Sequence, residues 1–277
     1  MTQGKGTPKV SIIMGIYQCG DTLAEALDSI WDQSLQDWEL ILCDDGSTDN
    51  TYAVAEGYRQ RDPQRVTLLR NETNQGLNIT LNRCLERSRG VYVARMDGDD
   101  RSVPTRLEVE AAFLDSHPEY AIVSSAMRYF DETSVWGPRE VIPCPQIRDF
   151  VFHAPVHCHA PCMIRREAYL AVGGYTVDRR LLRFEDCNLW YKLYAAGYRG
   201  YNLQQPLYEM RDDRNAYRRR TLSSRLRAVY VQWSGFRLVG MPLRYYPYLL
   251  VELGKNLALG LMPAALYQRL HRGGKGA

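Results

Sequence analysis

The 277-residue chain has no run of 18 apolar residues. The nearest, Tyr245 to Met262, is broken by Glu252, Lys255 and Asn256, so the sequence predicts no membrane-spanning helix. Met1 to Pro8 are polar and hold no apolar segment, which argues against a secretory signal. Paired cysteine spacing is also missing. Cys19, Cys43, Cys84, Cys144, Cys158, Cys162 and Cys187 are scattered, several within apolar segments, as expected of reduced thiols in a cytosolic protein. His153, His157, Cys158, His159 and Cys162 cluster but match no usual zinc-ligand spacing. There is no internal repeat and no low-complexity tract.

Acidic residues are nearly absent from the last quarter. From Arg214 onward, 12 Lys and Arg face Glu252 alone, a local net charge of +11, whereas the remainder carries −8 and the whole +3. The basic residues alternate with Trp233, Phe236, Leu238, Tyr245, Tyr246, Leu249 and Leu250. That mixture suits a lipid headgroup layer better than nucleic acid. The plain alternative is a helical appendage with a solvated basic face.

What is present is a strand–helix alternation over the first ~130 residues, the pattern of a mostly parallel sheet covered by helices. Strands are predicted at Val10 to Met14, Trp38 to Cys43, Val66 to Leu69 and Val91 to Met96, with Asp21 and Ser47 as helix caps. Further helices are predicted from Pro104 to Ser116 and from Glu185 to Ala196. A strand pair or bent strand is predicted at Tyr120 to Tyr129, a short strand at Cys162 to Arg165 and a turn at Gly173-Gly174-Tyr175. Residues 131–160 read mainly as loop. Asp97-Gly98-Asp99-Asp100 follows the fourth strand. Like charges this close ionise together cheaply only around a cation, and oxygen-only ligands suit Mg²⁺ or Mn²⁺. Open α/β sheets bind ligands beyond the carboxyl ends of their strands. There the acidic loop meets Asp44-Asp45 and the loop Gly15-Ile16-Tyr17.

Five segments in order, Pro8 to Ile13, Asp44 to Asp49, Asn74 to Leu77, Ala94 to Asp100 and Phe184 to Trp190, resemble the inverting family 2 glycosyltransferases. The subtype resembled is that of bacterial capsule, exopolysaccharide or lipopolysaccharide synthesis. The resemblance covers about residues 8–215. It implies a GT-A fold, Rossmann-like, over residues 1–215; the basic, amphipathic composition of 216–277 predicts a helical extension after it. The resemblance also implies a nucleotide-diphospho sugar donor, with a UDP-sugar favoured, and a glycan acceptor carried on a polyprenyl lipid. The implied location is the cytoplasmic face of the cell membrane.

The same resemblance implies residue roles. Asp44 matches the carboxylate on the nucleotide base, Tyr17 the loop on base and ribose, and Asn74 and Gly76 the loop packed near them. Asp97 matches the residue near the ribose and Asp99 the ligand of Mn²⁺ or Mg²⁺. Asp186 matches the general base. Glu185, His159 and Arg211 match positions on the acceptor or diphosphate side, with Arg214 and Arg218-Arg219-Arg220 as further diphosphate candidates. Gln18 stands where the family has Asn, and Thr80-Leu81-Asn82 lacks the family's Arg. Arg95 is a candidate for holding Asp99, with a strand-end charge pair as the equal alternative, and Asp100 is expected to orient the loop or cap the following helix. The helix dipole at Asp186 should keep it ionised and weaken it as a base, with Glu185 opposing. A nucleotidyltransferase is the competing reading, but Met14 to Gln18 holds one Gly and no basic residue. A non-catalytic sugar-nucleotide-binding partner is the other.

Overall fold

The computed structural model describes residues 6–212 and 221–261. Arg214 and the Arg218-Arg219-Arg220 run lie outside the described residues. Strands β1 (Val10–Ile16), β2 (Trp38–Asp44), β3 (Val66–Arg70) and β4 (Tyr92–Arg95) pair in parallel in the order β3-β2-β1-β4. Their apolar runs do not alternate with polar residues because both faces are covered. Ile12 and Met14 of β1, with Leu40 and Leu42 of β2, pack in one cluster; Ile13, Ile41 and Cys43 pack in the other.

The first cluster is closed by α1 (Gly20–Trp31), α2 (Thr51–Arg61) and α4 (Arg106–Ser116) through Leu23, Leu27, Ile30, Ala55, Leu107 and Leu114. The second is closed by α3 (Leu77–Arg87), α5 (Arg166–Ala171) and α6 (Glu185–Ala195) through Leu81, Leu85, Tyr169, Leu189 and Trp190.

Past β4 the sheet changes character. The three-residue β8 (Met163–Arg165) pairs antiparallel with both β4 and β6 (Ile122–Phe130). β9 (Gly200–Arg211) then runs parallel to β6, and the two-residue β5 (Arg101–Ser102) pairs antiparallel with β9. β7 (Val135–Arg139) also pairs with β6, so 131–160 is less of a loop than its Pro and His content implies; Ile147–Val151 forms a 3₁₀ turn. β9 contains Pro206, which would argue against a strand, but the β6–β9 register shifts at this point. A bulge tolerates the missing N–H.

The last two helices are α7 (Leu222–Leu238) and α8 (Pro247–Leu261). Val231, Phe236 and Leu249 join the cluster that holds Tyr191 and Phe150. Gly235 lets α7 approach α6: a Cβ there would stand 2.2 Å from the Tyr191 ring. Among the described residues, no helix is long and apolar enough to cross a membrane.

Two caps differ from expectation. α1 starts after Cys19 and α2 after Asn50, so neither Asp21 nor Ser47 is the cap. Asp49 does that work for both helices, accepting from Thr51 N at 3.0 Å and Gly20 N at 3.1 Å. Asp100 does not cap α4, which follows Thr105.

Candidate active site

The parallel strands end together, and their carboxyl-end loops are tied to one another. Asp45 N donates to Ile16 O at 2.9 Å. Gln18, at φ +50°, accepts from Thr48 N and Asp49 N at 3.0 and 3.2 Å, so the Gln in place of Asn fastens the β1 loop to the β2 loop. Asp45 is a structural carboxylate. It accepts from Gln75 N and Gly76 N, each at 2.8 Å, and from Asn71 Nδ2 at 2.6 Å, fixing the turn that opens α3. Gly46 sits at φ +73° under the Thr73–Asn74 backbone, where a Cβ would approach to 2.8 Å. Asn74 is thereby held at the rim with its side chain exposed, beside Gly76 at φ +92°.

Asp44 differs from its neighbour. It is fully buried, and Oδ1 accepts from Ser47 N at 3.2 Å. Oδ2 lies 3.1 Å from Arg70 Nε but has no hydrogen-bond partner. A buried carboxylate oxygen is costly unless a charge or a donor offsets it, and the Arg70 guanidinium supplies that charge.

The acidic loop is strongly braced. Tyr208, fully buried on β9, accepts from Asp97 N at 3.1 Å. Thr22 Oγ1 donates to Gly98 O at 3.0 Å, and a Cβ on Gly98 would meet Cys19 Sγ at 2.8 Å. Asp100 is buried and accepts from Arg211 N at 2.8 Å, which makes it a loop anchor. Arg95, 6% exposed, is ion-paired with Asp97, which is the strand-end charge pair and not the contact to Asp99; its Nε has no hydrogen-bond partner. Sequence reasoning misses Tyr208 and β9, because Pro206 interrupts the only apolar signal there.

Asp99 is left facing a cleft of about 520 Å³, shared with Tyr17, Gln18, Thr22, Asp97 and Arg211. Desolvation by the cleft walls and then the Asp97 charge push its carboxyl above the usual range. Burial, with Asp97 and Asp99, pushes Asp100 well above it. Arg211 donates from Nε to Asp99 O at 3.0 Å, pairs with Glu25 and lies over the Phe130 ring. Among the described residues, no three His, Cys, Asp or Glu side chains converge into a ready metal cage.

Asp186 stands in the first turn of α6 and lines a second cavity of about 310 Å³, beside Phe184 and Cys187. Oδ1 accepts from Cys187 N at 2.7 Å. Burial raises its pKa, so desolvation outweighs the first-turn dipole that was expected to weaken it. Burial and then Asp186 raise Glu185. Arg95 connects the two regions: its positive charge lowers Asp99 on one side and Asp186 and Glu185 on the other. His159 Nε2 lies 2.8 Å from Tyr175 Oη, whose hydroxyl also bonds Tyr169 at 2.9 Å. Burial and then Arg95 hold His159 well below its ordinary pKa, so it is neutral.

Comparison with known proteins places this geometry. The family model described as Glycosyl transferase family 2 matches residues 11–173. EpsE of Bacillus subtilis (strain 168), named as a putative glycosyltransferase, is 42% identical over 96% of this chain and 94% of its own. An Escherichia coli protein named UDP-Gal:alpha-D-GlcNAc-diphosphoundecaprenol beta-1,3-galactosyltransferase is 30% identical over 77% and 78% of the two chains. Among solved structures, the mannosyltransferase PcManGT of Pyrobaculum calidifontis, in complex with GDP-Man and Mn2+, superposes with a TM-score of 0.62 at 19% identity. It covers 97% of this chain and 80% of that one. With the parallel sheet, the braced acidic loop and the acidic start of α6 in place, the chain belongs to glycosyltransferase family 2, and it is a glycosyltransferase with the GT-A fold.

Proposed function

We propose that the protein transfers a sugar, with inversion, from a UDP-sugar to a hydroxyl of a lipid-linked glycan in bacterial surface-polysaccharide synthesis. The observation that carries this reading is the cleft of about 520 Å³ that brings Tyr17, Asp97, Asp99 and Arg211 together, with Asp44 at the carboxyl end of the adjoining strand β2. An acceptor-only carboxylate suits the imide N–H of uracil. Tyr17, Asn74 and Gly76 border the base and ribose. The name of the 30%-identical relative, which gives UDP-Gal and a diphosphoundecaprenol acceptor, supports both the donor base and the lipid carrier.

Mn²⁺ or Mg²⁺ fits the donor set. Asp99 would hold it, a hard oxygen donor in a crowd of carboxyls whose raised pKa a cation would relieve. When bound, such an ion neutralises the leaving diphosphate. The chain's own residues do the remainder. Arg95 holds Asp97 beside the ribose, Arg211 fixes the loop backbone, and Asp186 takes the proton from the attacking hydroxyl. Burial makes Asp186 a stronger base than a solvated aspartate, which favours this role at neutral pH. Glu185 and the neutral His159 stand on the acceptor side.

The division at residue 215 is part of the same proposal, with the following basic helices resting on the inner face of the membrane. Leu243, Leu250 and Val251 are more than 60% exposed beside Arg244 and Lys255, a composition that favours an anionic lipid surface.

The test is release of UDP from UDP-sugars with Mn²⁺, alongside thermal shift against UDP-, GDP- and dTDP-sugars. Asp186→Asn should lower turnover by about 10²–10⁴-fold and keep the donor-induced rise in Tm. Unchanged turnover in Asp186→Asn would remove the base assignment.

A further inference from the structure

Just ahead of α6, two aliphatic side chains stand in water on a rigid support. Residues 177–183 hold a short 3₁₀ turn, Arg179–Leu181. Asp178 accepts from Arg180 N at 2.8 Å and from Arg180 Nη2 at 2.7 Å, while Leu181 is buried in the core cluster. On either side of these anchors Val177 is 60% exposed and Leu182 52%. The segment carries Arg179, Arg180 and Arg183 against Asp178 alone.

The turn is clasped to α7 by stacked cations and rings. The Arg180 guanidinium lies 5.0 Å from the centre of the Tyr230 ring. Tyr230 in turn lies 6.0 Å from Trp233, and the Arg237 guanidinium 5.1 Å from Trp233 on the next turn. Leu226, Tyr230, Trp233 and Arg237 are spaced i, i+4, i+7 and i+11, which is one face of a helix. That face meets solvent: Leu226 and Arg237 are exposed, and Trp233 is 40% exposed. α7 carries Arg225, Arg227 and Arg237 and no acidic residue.

Single exposed apolar residues need no explanation, but here they accompany a ladder of arginines and aromatic rings. Trp and Tyr rings favour the boundary between headgroups and acyl chains. Arginines beside them are drawn to the phosphates of anionic lipid. α7 also packs against α8, which bears the exposed Leu250 and Val251. Resting on the reading of the last helices as membrane-bound, we propose that the membrane surface of this protein is not confined to residues 216–277. The 177–183 turn of the catalytic domain docks on an anionic bilayer together with the Arg180–Tyr230–Trp233–Arg237 ladder. Leu182 stands four residues ahead of Asp186, so this contact holds the first turn of α6 close to the layer in which a lipid-linked substrate lies.

The experiment sediments the full chain with phosphatidylcholine vesicles, with and without phosphatidylglycerol, at low and high salt. The wild type should bind the vesicles that contain phosphatidylglycerol and release them as salt rises. Leu182→Glu and Trp233→Glu each remove an apolar contact and set a carboxylate against anionic lipid, so each should weaken binding by roughly five- to tenfold. Leu243→Glu, outside the ladder, perturbs the α8 side alone. Tm shows that each variant is folded, and if Trp233→Glu is not, Leu182→Glu decides. In the absence of vesicles Leu182→Glu should release UDP from a UDP-sugar as the wild type does. Vesicle binding that falls in Leu243→Glu but is unchanged in Leu182→Glu and Trp233→Glu overturns the proposal and leaves the last helices on the membrane. A wild type that ignores anionic vesicles removes the membrane reading itself, and this proposal with it. A dimer that Trp233→Glu dissociates, with vesicle binding unchanged, assigns the ladder to a second copy of the chain and overturns the proposal as well.

Discussion

Replacing Gly235 by Ala separates two physical effects of opposite sign. In a helix interior Ala is favoured over Gly by about 1 kcal/mol, so an open position should gain stability. Gly57, on α2, is such a position, with nothing within 4 Å of where an added Cβ would stand. Gly57→Ala should therefore stabilise by about 0.5–1 kcal/mol. At Gly235 the added carbon would lie 2.2 Å from two atoms of the Tyr191 ring and 2.5 Å from a third. That ring is 1% exposed and packed on Phe150, so it has no room to retreat. Overpacking of this kind costs about 1–3 kcal/mol, and contact with three rigid ring atoms argues for the upper end. The net expectation is a loss of about 1–2 kcal/mol. Urea unfolding followed by tryptophan fluorescence measures both variants on one scale. A Gly235→Ala protein as stable as Gly57→Ala would refute the docking of α7 on α6.

Three further outcomes follow from the site and its supports. Asp45→Ala, by releasing the amides of Gln75 and Gly76, should cost about 1–3 kcal/mol in urea unfolding; no loss would show that the 71–76 turn is held otherwise. Asp99→Asn should raise the Mn²⁺ concentration for half-maximal UDP release by roughly tenfold or more, the loss of one charge-assisted contact, and an unchanged metal requirement would dismiss Asp99 as a ligand. Glu110, buried beside Arg106, is pushed up to about 8 by desolvation. The folded state then holds a proton that the unfolded state has lost, so stability falls as pH rises from about 4.5 to 8. Glu110→Gln should remove that part of the slope in Tm against pH, and identical slopes would contradict it.

The legible part of this protein is the part encoded locally. β1 to β4 announce themselves as apolar runs, and α6 as an acidic first turn ahead of Leu189, Trp190 and Leu193. The roles within the Asp44–Asp49 segment are less legible. Asp44 and Asp45 are chemically identical neighbours, and only the turn at Gln75-Gly76, which opens α3, takes up Asp45, while Asp44 is left to Ser47 and Arg70. Arg95 is equally ambiguous in sequence, since Asp97 and Asp99 are both within its reach; Tyr208, arriving from β9, fixes the loop so that Asp97 is the partner.

The sequence by itself determined the covered parallel sheet, the acidic loop after β4 and the membership in family 2, because each depends on residues close together in the chain. Tertiary structure alone decided that the last helices share the core, that Tyr191 is buried against Gly235 and Phe150, and that Asp186 is a raised rather than a weakened base. Desolvation depends on which distant segments close over a group. A helix dipole is written in a dozen consecutive residues, but burial by α7, α8 and the 151–155 loop is not.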